Sequence, residues 1–102
     1  MSKILVTGSD GRFGKILKTL NDKRLIFRNK KELNILSEKS IKSNIKKFKP
    51  KKILHLAGLS RPMSIHEIEI SKSINLNIIG TCNLVKVASS FGVKFIYLST
   101  SY

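Results

Sequence analysis

At 102 residues the chain has room for one small domain, and its 41% hydrophobic content fits a globular protein. No apolar run approaches the ~20 residues of a membrane span, and a single cysteine, Cys82, excludes an internal disulfide. With a strand beginning almost at once, no secretory leader is expected, and these features together predict a cytoplasmic protein with no membrane partner. The net charge of +14 raises the question of nucleic acid. The basic residues gather at Lys23 to Lys31 and Lys39 to Lys52, mostly as Lys, with no alternating aromatics and no nucleic-acid motif around them. That pattern argues for solvated helix faces and against a nucleic-acid partner, while still favouring anionic ligands such as a dinucleotide.

The apolar run Ile4 to Thr7 predicts the first strand, which ends in Gly8-Ser9-Asp10-Gly11-Arg12-Phe13-Gly14. Strand, glycine turn and helix in succession form the arrangement in which backbone N–H groups face a pyrophosphate. In that geometry Gly8 makes the turn, Gly11 lets phosphates approach the backbone, and Gly14 lets the helix pack closely on the sheet. The helix is predicted from about Arg12 to Leu20, with Phe13, Ile16, Leu17 and Leu20 as its apolar stripe. Leu25 to Phe27 reads as a second strand. Ser37 is a candidate N-cap for a helix burying Ile41, Ile45 and Phe48, and Pro50 stops it.

Ile53 to Ala57 forms the third predicted strand. A loop over Leu59 to Ser64 is followed by a short helix near Ile65 to Ser71, then a longer one from about Ser73 to Phe91 ended by Gly92. Phe95 to Leu98 is the fourth strand. Strands three and four are continuously apolar, as parallel strands covered on both faces are. The alternation of strands and helices predicts an α/β domain over 1–102: an incomplete doubly wound parallel sheet of about four strands.

Four segments resemble the extended short-chain dehydrogenase/reductase superfamily, whose members are NAD(P)-dependent sugar-nucleotide epimerases, dehydratases and reductases. They are Thr7-Gly8-x-x-Gly11-x-x-Gly14, Ile53-Leu54-His55-Leu56-Ala57-Gly58, Asn77-x-x-Gly80-Thr81-x-Asn83-Leu84 and Leu98-Ser99-Thr100-Ser101-Tyr102. The connection Asn29 to Ser37, passing directly into a helix, is similar to that of the dTDP-4-dehydrorhamnose reductases.

The resemblance implies a Rossmann-like fold and a cofactor site made by Gly8, Asp10, Gly11, Arg12, Phe13 and Gly14 at the turn. Arg28, Asn34, Ile35, Leu56, Ala57, Gly58 and Asn77 would complete it. Asn34 and Ile35 would flank an adenine; equally, they read as a turn Asn and an apolar plug. Thr100 falls at the position of the catalytic Ser/Thr, whose hydroxyl polarises the substrate oxygen.

NAD-binding turns are usually followed about 20 residues on by an acid for the ribose 2′-hydroxyl. Here that position is Arg28, and no acid appears between Lys23 and Lys31, which predicts NADP over NAD, with Arg28 as the 2′-phosphate partner and Arg12 second. The other reading of Arg28 is an ordinary surface residue. His55, inside an apolar strand, reads as a core histidine, and Cys82 as a buried thiol. His66, Glu67 and Glu69 lack metal-ligand spacing, so no metal is expected.

The family's proton donor is a Tyr followed four residues later by Lys. Neither Tyr97 nor Tyr102 has such a Lys within the chain. The expectation is therefore a dinucleotide-binding part, truncated before the Tyr–Lys pair and the substrate domain. A nucleotide sugar would be bound only in a full-length context, and the alternatives are a non-catalytic dinucleotide-binding module or a gene remnant. Strand four would be an uncovered sheet edge, open to homodimer pairing.

Overall fold

In the computed structural model, the described residues are 2–9, 11–58 and 67–100. They form β1 (Ile4–Thr7), α1 (Arg12–Lys18), β2 (Leu25–Arg28), α2 (Glu38–Phe48), β3 (Lys52–Gly58), α3 (Glu67–Ser90) and β4 (Lys94–Thr100). The four strands make one parallel sheet in the order β2-β1-β3-β4. The chain steps one way from β1 to β2, then crosses back over β1 to β3 and on to β4. Right-handed crossovers then put α1 on one face of the sheet, with α2 and α3 on the other.

The α2/α3 face carries the core. Leu5, Ile41, Ile53 and Leu84 are fully buried there, with Leu33, Ile45, Val87 and Ala88 beside them. Each buried Leu, Ile or Val side chain contributes about 1.5–3 kcal/mol by leaving water. The helix ends follow local chemistry. The Ser37 hydroxyl accepts the Ser40 N–H at 3.2 Å, capping α2 as expected. At the far end Lys49 takes the left-handed conformation (φ 48°) and donates its N–H to the Ile45 carbonyl at 2.8 Å before Pro50. α3 ends in a Schellman turn: Gly92 has φ 68°, Gly92 N–H reaches the Ser89 carbonyl and Val93 N–H the Ala88 carbonyl.

Three expectations need correction. First, α1 stops at Lys18, and its apolar stripe is largely bare, with Phe13, Ile16 and Leu20 exposed by 37%, 54% and 63%. Periodicity says which side of a helix is apolar. It does not say that the chain supplies a cover for it, and α1 is alone on its face. Second, α3 is one helix of 24 residues, where two were expected. The Ser71-Lys72-Ser73 stretch contains no Gly or Pro, so nothing in its backbone forces a break. The expected helix start at Ile65 lies outside the described residues. Third, Cys82 is exposed, because the buried stripe of α3 runs through Gly80, Leu84, Val87 and Ala88 on the opposite side. None of the described helices is long and apolar enough to cross a membrane.

Candidate functional site at the strand C-termini

Because β1 leads to a neighbour on one side and β3 to a neighbour on the other, their C-terminal ends flank the switch point of the sheet. A crevice opens there in doubly wound folds. The glycine turn closes β1 at this point, and its three glycines differ in what they meet. Gly8 has φ 72°, and a Cβ on it would collide with the Leu56 carbonyl oxygen of β3. A Cβ on Gly14 would collide with the Ser9 backbone, so α1 is pressed against its own entry turn. Gly11 is different: its φ of −77° and ψ of 178° suit any residue, and the nearest atom to a built Cβ is the Gly8 carbonyl oxygen at 3.8 Å. Nothing in the described chain requires glycine at this position. The Ser9 hydroxyl ties the turn to β2 by donating to the Arg28 carbonyl at 3.2 Å.

Beneath the turn lies a buried polar pair that sequence reasoning did not anticipate. Thr7 and His55, register partners on β1 and β3, join through Thr7 Oγ1 and His55 Nδ1 at 2.6 Å. Phe95 and Tyr97 flank the imidazole, with centroids at 6.3 and 5.8 Å. His55 Nε2 has no hydrogen-bond partner among the described residues. Burial pushes the imidazole pKa below its ordinary value, and the polar side chain of Asn77 opposes this shift. His55 is only 3% exposed, in keeping with a core histidine.

At the end of β2, Arg28 is held on several sides. Its Nε donates to Asn44 Oδ1 at 3.1 Å, one Nη pairs with Glu32 at 3.3 Å, and the guanidinium sits 4.9 Å over the Phe48 ring. Asn44 in turn donates to the Glu32 and Ser40 carbonyls. A signal for this network was present in the sequence: Asn44 is a polar residue on the apolar stripe of α2, a placement that calls for buried partners. Asn34 is exposed and makes a local turn, accepting the Leu36 N–H at 3.0 Å. Ile35 packs its side chain where a Cβ on Gly80 would stand, and its carbonyl accepts from Asn83 Nδ2 at 3.0 Å. Asn77 is half-buried on α3.

The sheet register sets Ala57 opposite Ser99 and Gly58 opposite Thr100, so the end of β4 reaches the same rim as the glycine turn. Leu56 is buried behind that rim, and Phe13 lies exposed in the first turn of α1. Asp10 lies outside the described residues, and for Arg12, Ala57, Gly58 and Thr100 only the backbone is described.

The topology and the glycine turn define a Rossmann-like α/β domain. The family model described as RmlD substrate binding domain matches residues 2–102, and the chain belongs to that family. It is 40% identical over 70 residues to a Xenopus laevis protein named methionine adenosyltransferase 2 subunit beta, covering 69% of this chain and 21% of that one. Among solved structures, it resembles a GDP-L-fucose synthetase from Naegleria fowleri bound to NADP (TM-score 0.73, 28% identity, 94% of this chain and 33% of that one). It also resembles a dTDP-4-dehydrorhamnose reductase from Clostridium acetobutylicum (TM-score 0.68, 26% identity, 91% and 34%). The chain thus spans about a fifth of the curated relatives' length and about a third of these solved chains.

Proposed function

We propose that this chain binds NADP(H) across the crevice between β1 and β3, as the coenzyme-holding part of a sugar-nucleotide reductase of the RmlD family. The observation that carries the reading is Gly11. Gly8 and Gly14 are needed by the chain's own packing, whereas Gly11 faces open space that a side chain would fill. A glycine without an internal reason, on the rim of a topological switch point, fits a backbone approached by a diphosphate. The Naegleria fowleri synthetase supports the choice of coenzyme, since it was crystallised with NADP.

In this reading the turn amides hold the diphosphate, and Arg28 offers its remaining donors to the 2′-phosphate. The small pair Ala57 and Gly58 lets the dinucleotide lie against the end of β3. Thr100, across the ladder from Gly58, is the residue assigned to polarise the substrate oxygen. The coenzyme, when bound, supplies the hydride; the protein orients it. Calorimetric titration with NADPH and NADH tests the proposal. Tighter binding of NADPH is expected, and a folded chain that binds neither at millimolar concentration would end it.

A second reading is favoured by the Xenopus laevis relative, whose name makes it a subunit of an enzyme rather than a reductase. The chain would then belong to a dinucleotide-binding module without turnover of its own. NADPH oxidation by a protein carrying this chain, with a keto-sugar nucleotide as acceptor, favours the reductase. Coenzyme binding without oxidation favours the subunit.

A further inference from the structure

The opposite end of the sheet carries a feature that the coenzyme site does not use. All four strands are parallel, so their N-terminal ends share one edge, and lysines crowd it. Lys51 donates its N–H to the Lys3 carbonyl at 2.9 Å, and Lys94 donates to the Lys51 carbonyl at 3.1 Å. The three side chains therefore start from adjacent strands about 4.8 Å apart. Lys52 opens β3, and Lys46, Lys47 and Lys49 come from the end of α2. Among the described residues, the acid at this edge is Asp22, already paired with Arg24 at 2.7 Å. Glu32 and Glu38 lie toward the other end, near Arg28 and at the start of α2.

Beside these lysines a recess of about 430 Å³ opens between the end of α2 and the α3–β4 turn. Ile45, Pro50, Phe91 and Val93 form its apolar walls, and Lys46 and Lys49 stand at its rim. Ile45 and Pro50 are buried at its floor, whereas Phe91 is 41% exposed at the mouth.

We infer that this pole docks an acidic protein segment, which seats one large apolar side chain in the recess while its carboxylates meet the lysines. Charge complementarity carries the choice of sign. The row of cations extends beyond the recess, across three strands, which suits several carboxylates spaced along a chain rather than one small anion. A single-stranded nucleic acid would be served by successive aromatic platforms, and Phe91 is the lone aromatic at the recess. An anionic membrane would be served by several apolar side chains projecting outward, and of the apolar residues lining the recess Phe91 alone is exposed. The inference is independent of the coenzyme reading, since the two sites lie at opposite ends of the strands.

Fluorescence anisotropy with four labelled probes tests it: an Asp/Glu-rich 12-residue peptide with one central Phe, its Phe-to-Ser counterpart, a 12-nucleotide oligo-dT, and phosphatidylserine vesicles. The Phe peptide should bind at micromolar concentration, at least tenfold tighter than the Ser peptide and the oligonucleotide. Binding should weaken tenfold or more in Lys46→Glu/Lys49→Glu and in Phe91→Ser, with saturating NADPH making no difference. Both sets of substitutions are at exposed positions, and circular dichroism confirms that they fold. Equal affinity for the two peptides, tighter binding of the oligonucleotide or vesicles, or no peptide binding by the folded chain would each overturn the inference.

Discussion

Replacing Gly11 by Ala separates the coenzyme's needs from the fold's. The added methyl group meets nothing closer than the Gly8 carbonyl oxygen at 3.8 Å, and the φ of −77° is ordinary for alanine. As the N-cap of α1, Ala is worse than Gly by about 0.5 kcal/mol. Restricting the unfolded chain returns about 0.4–1 kcal/mol. The two nearly cancel, so the melting temperature should stay within about 4 °C of the parent. Binding should behave differently. A methyl group on the approached face displaces the diphosphate, which costs about 1–3 kcal/mol, and weakens a charge-assisted hydrogen bond worth about 1.5–3 kcal/mol. A loss of at least about 2 kcal/mol corresponds to about thirtyfold weaker NADPH binding. Thermal melts and calorimetric titration of the same preparation measure both quantities. A variant that melts like the parent and binds NADPH within threefold of it would show that the diphosphate does not lie against Gly11.

Gly14→Ala, by contrast, drives a methyl group into the Ser9 backbone and should destabilise the chain by more than about 3 kcal/mol, visible in a urea melt; a near-normal midpoint would contradict the packing described for α1. Glu32→Gln removes the carboxylate paired with Arg28, so NADPH binding should tighten several-fold while NADH binding stays put; equal effects on both coenzymes would remove Arg28 from the 2′-phosphate. His55 gives a pH dependence. Its folded pKa lies below the ordinary 6.5, so between those two values the unfolded chain binds a proton that the folded chain does not. Stability is then full above about pH 6.5 and falls as the pH drops, by up to about 1.4 kcal/mol per unit. Urea melts from pH 5 to 8 should show this slope, and His55→Leu should flatten it; an unchanged slope would assign it elsewhere.

The sheet and its crevice were legible in the sequence because backbone-determining residues mark them. Gly8 and Gly14 sit where a Cβ cannot, Ser37 caps α2, Pro50 follows its end, and Gly92 takes the left-handed turn after α3. What escaped were relations between distant side chains. The Thr7–His55 bond spans 48 positions, and the grip of Asn44 and Glu32 on Arg28 depends on how α2 lies against β2. The bare stripe of α1 and the exposure of Cys82 escaped for a related reason: amphipathicity is local, and cover is supplied from elsewhere.

The clustering of Lys3, Lys46, Lys47, Lys49, Lys51, Lys52 and Lys94 at one edge has a consequence for how an anionic coenzyme would arrive. The seven residues of β3 separate the two ends by about 23 Å, whereas the Debye length at physiological ionic strength is about 8 Å. Counterions therefore quench the pull of that cationic edge long before it reaches the glycine turn. The lysines of that edge thus add to the net charge of +14 without aiming it at the crevice, where capture is left to short-range contacts with main-chain amides and, in the proposed site, with Arg28.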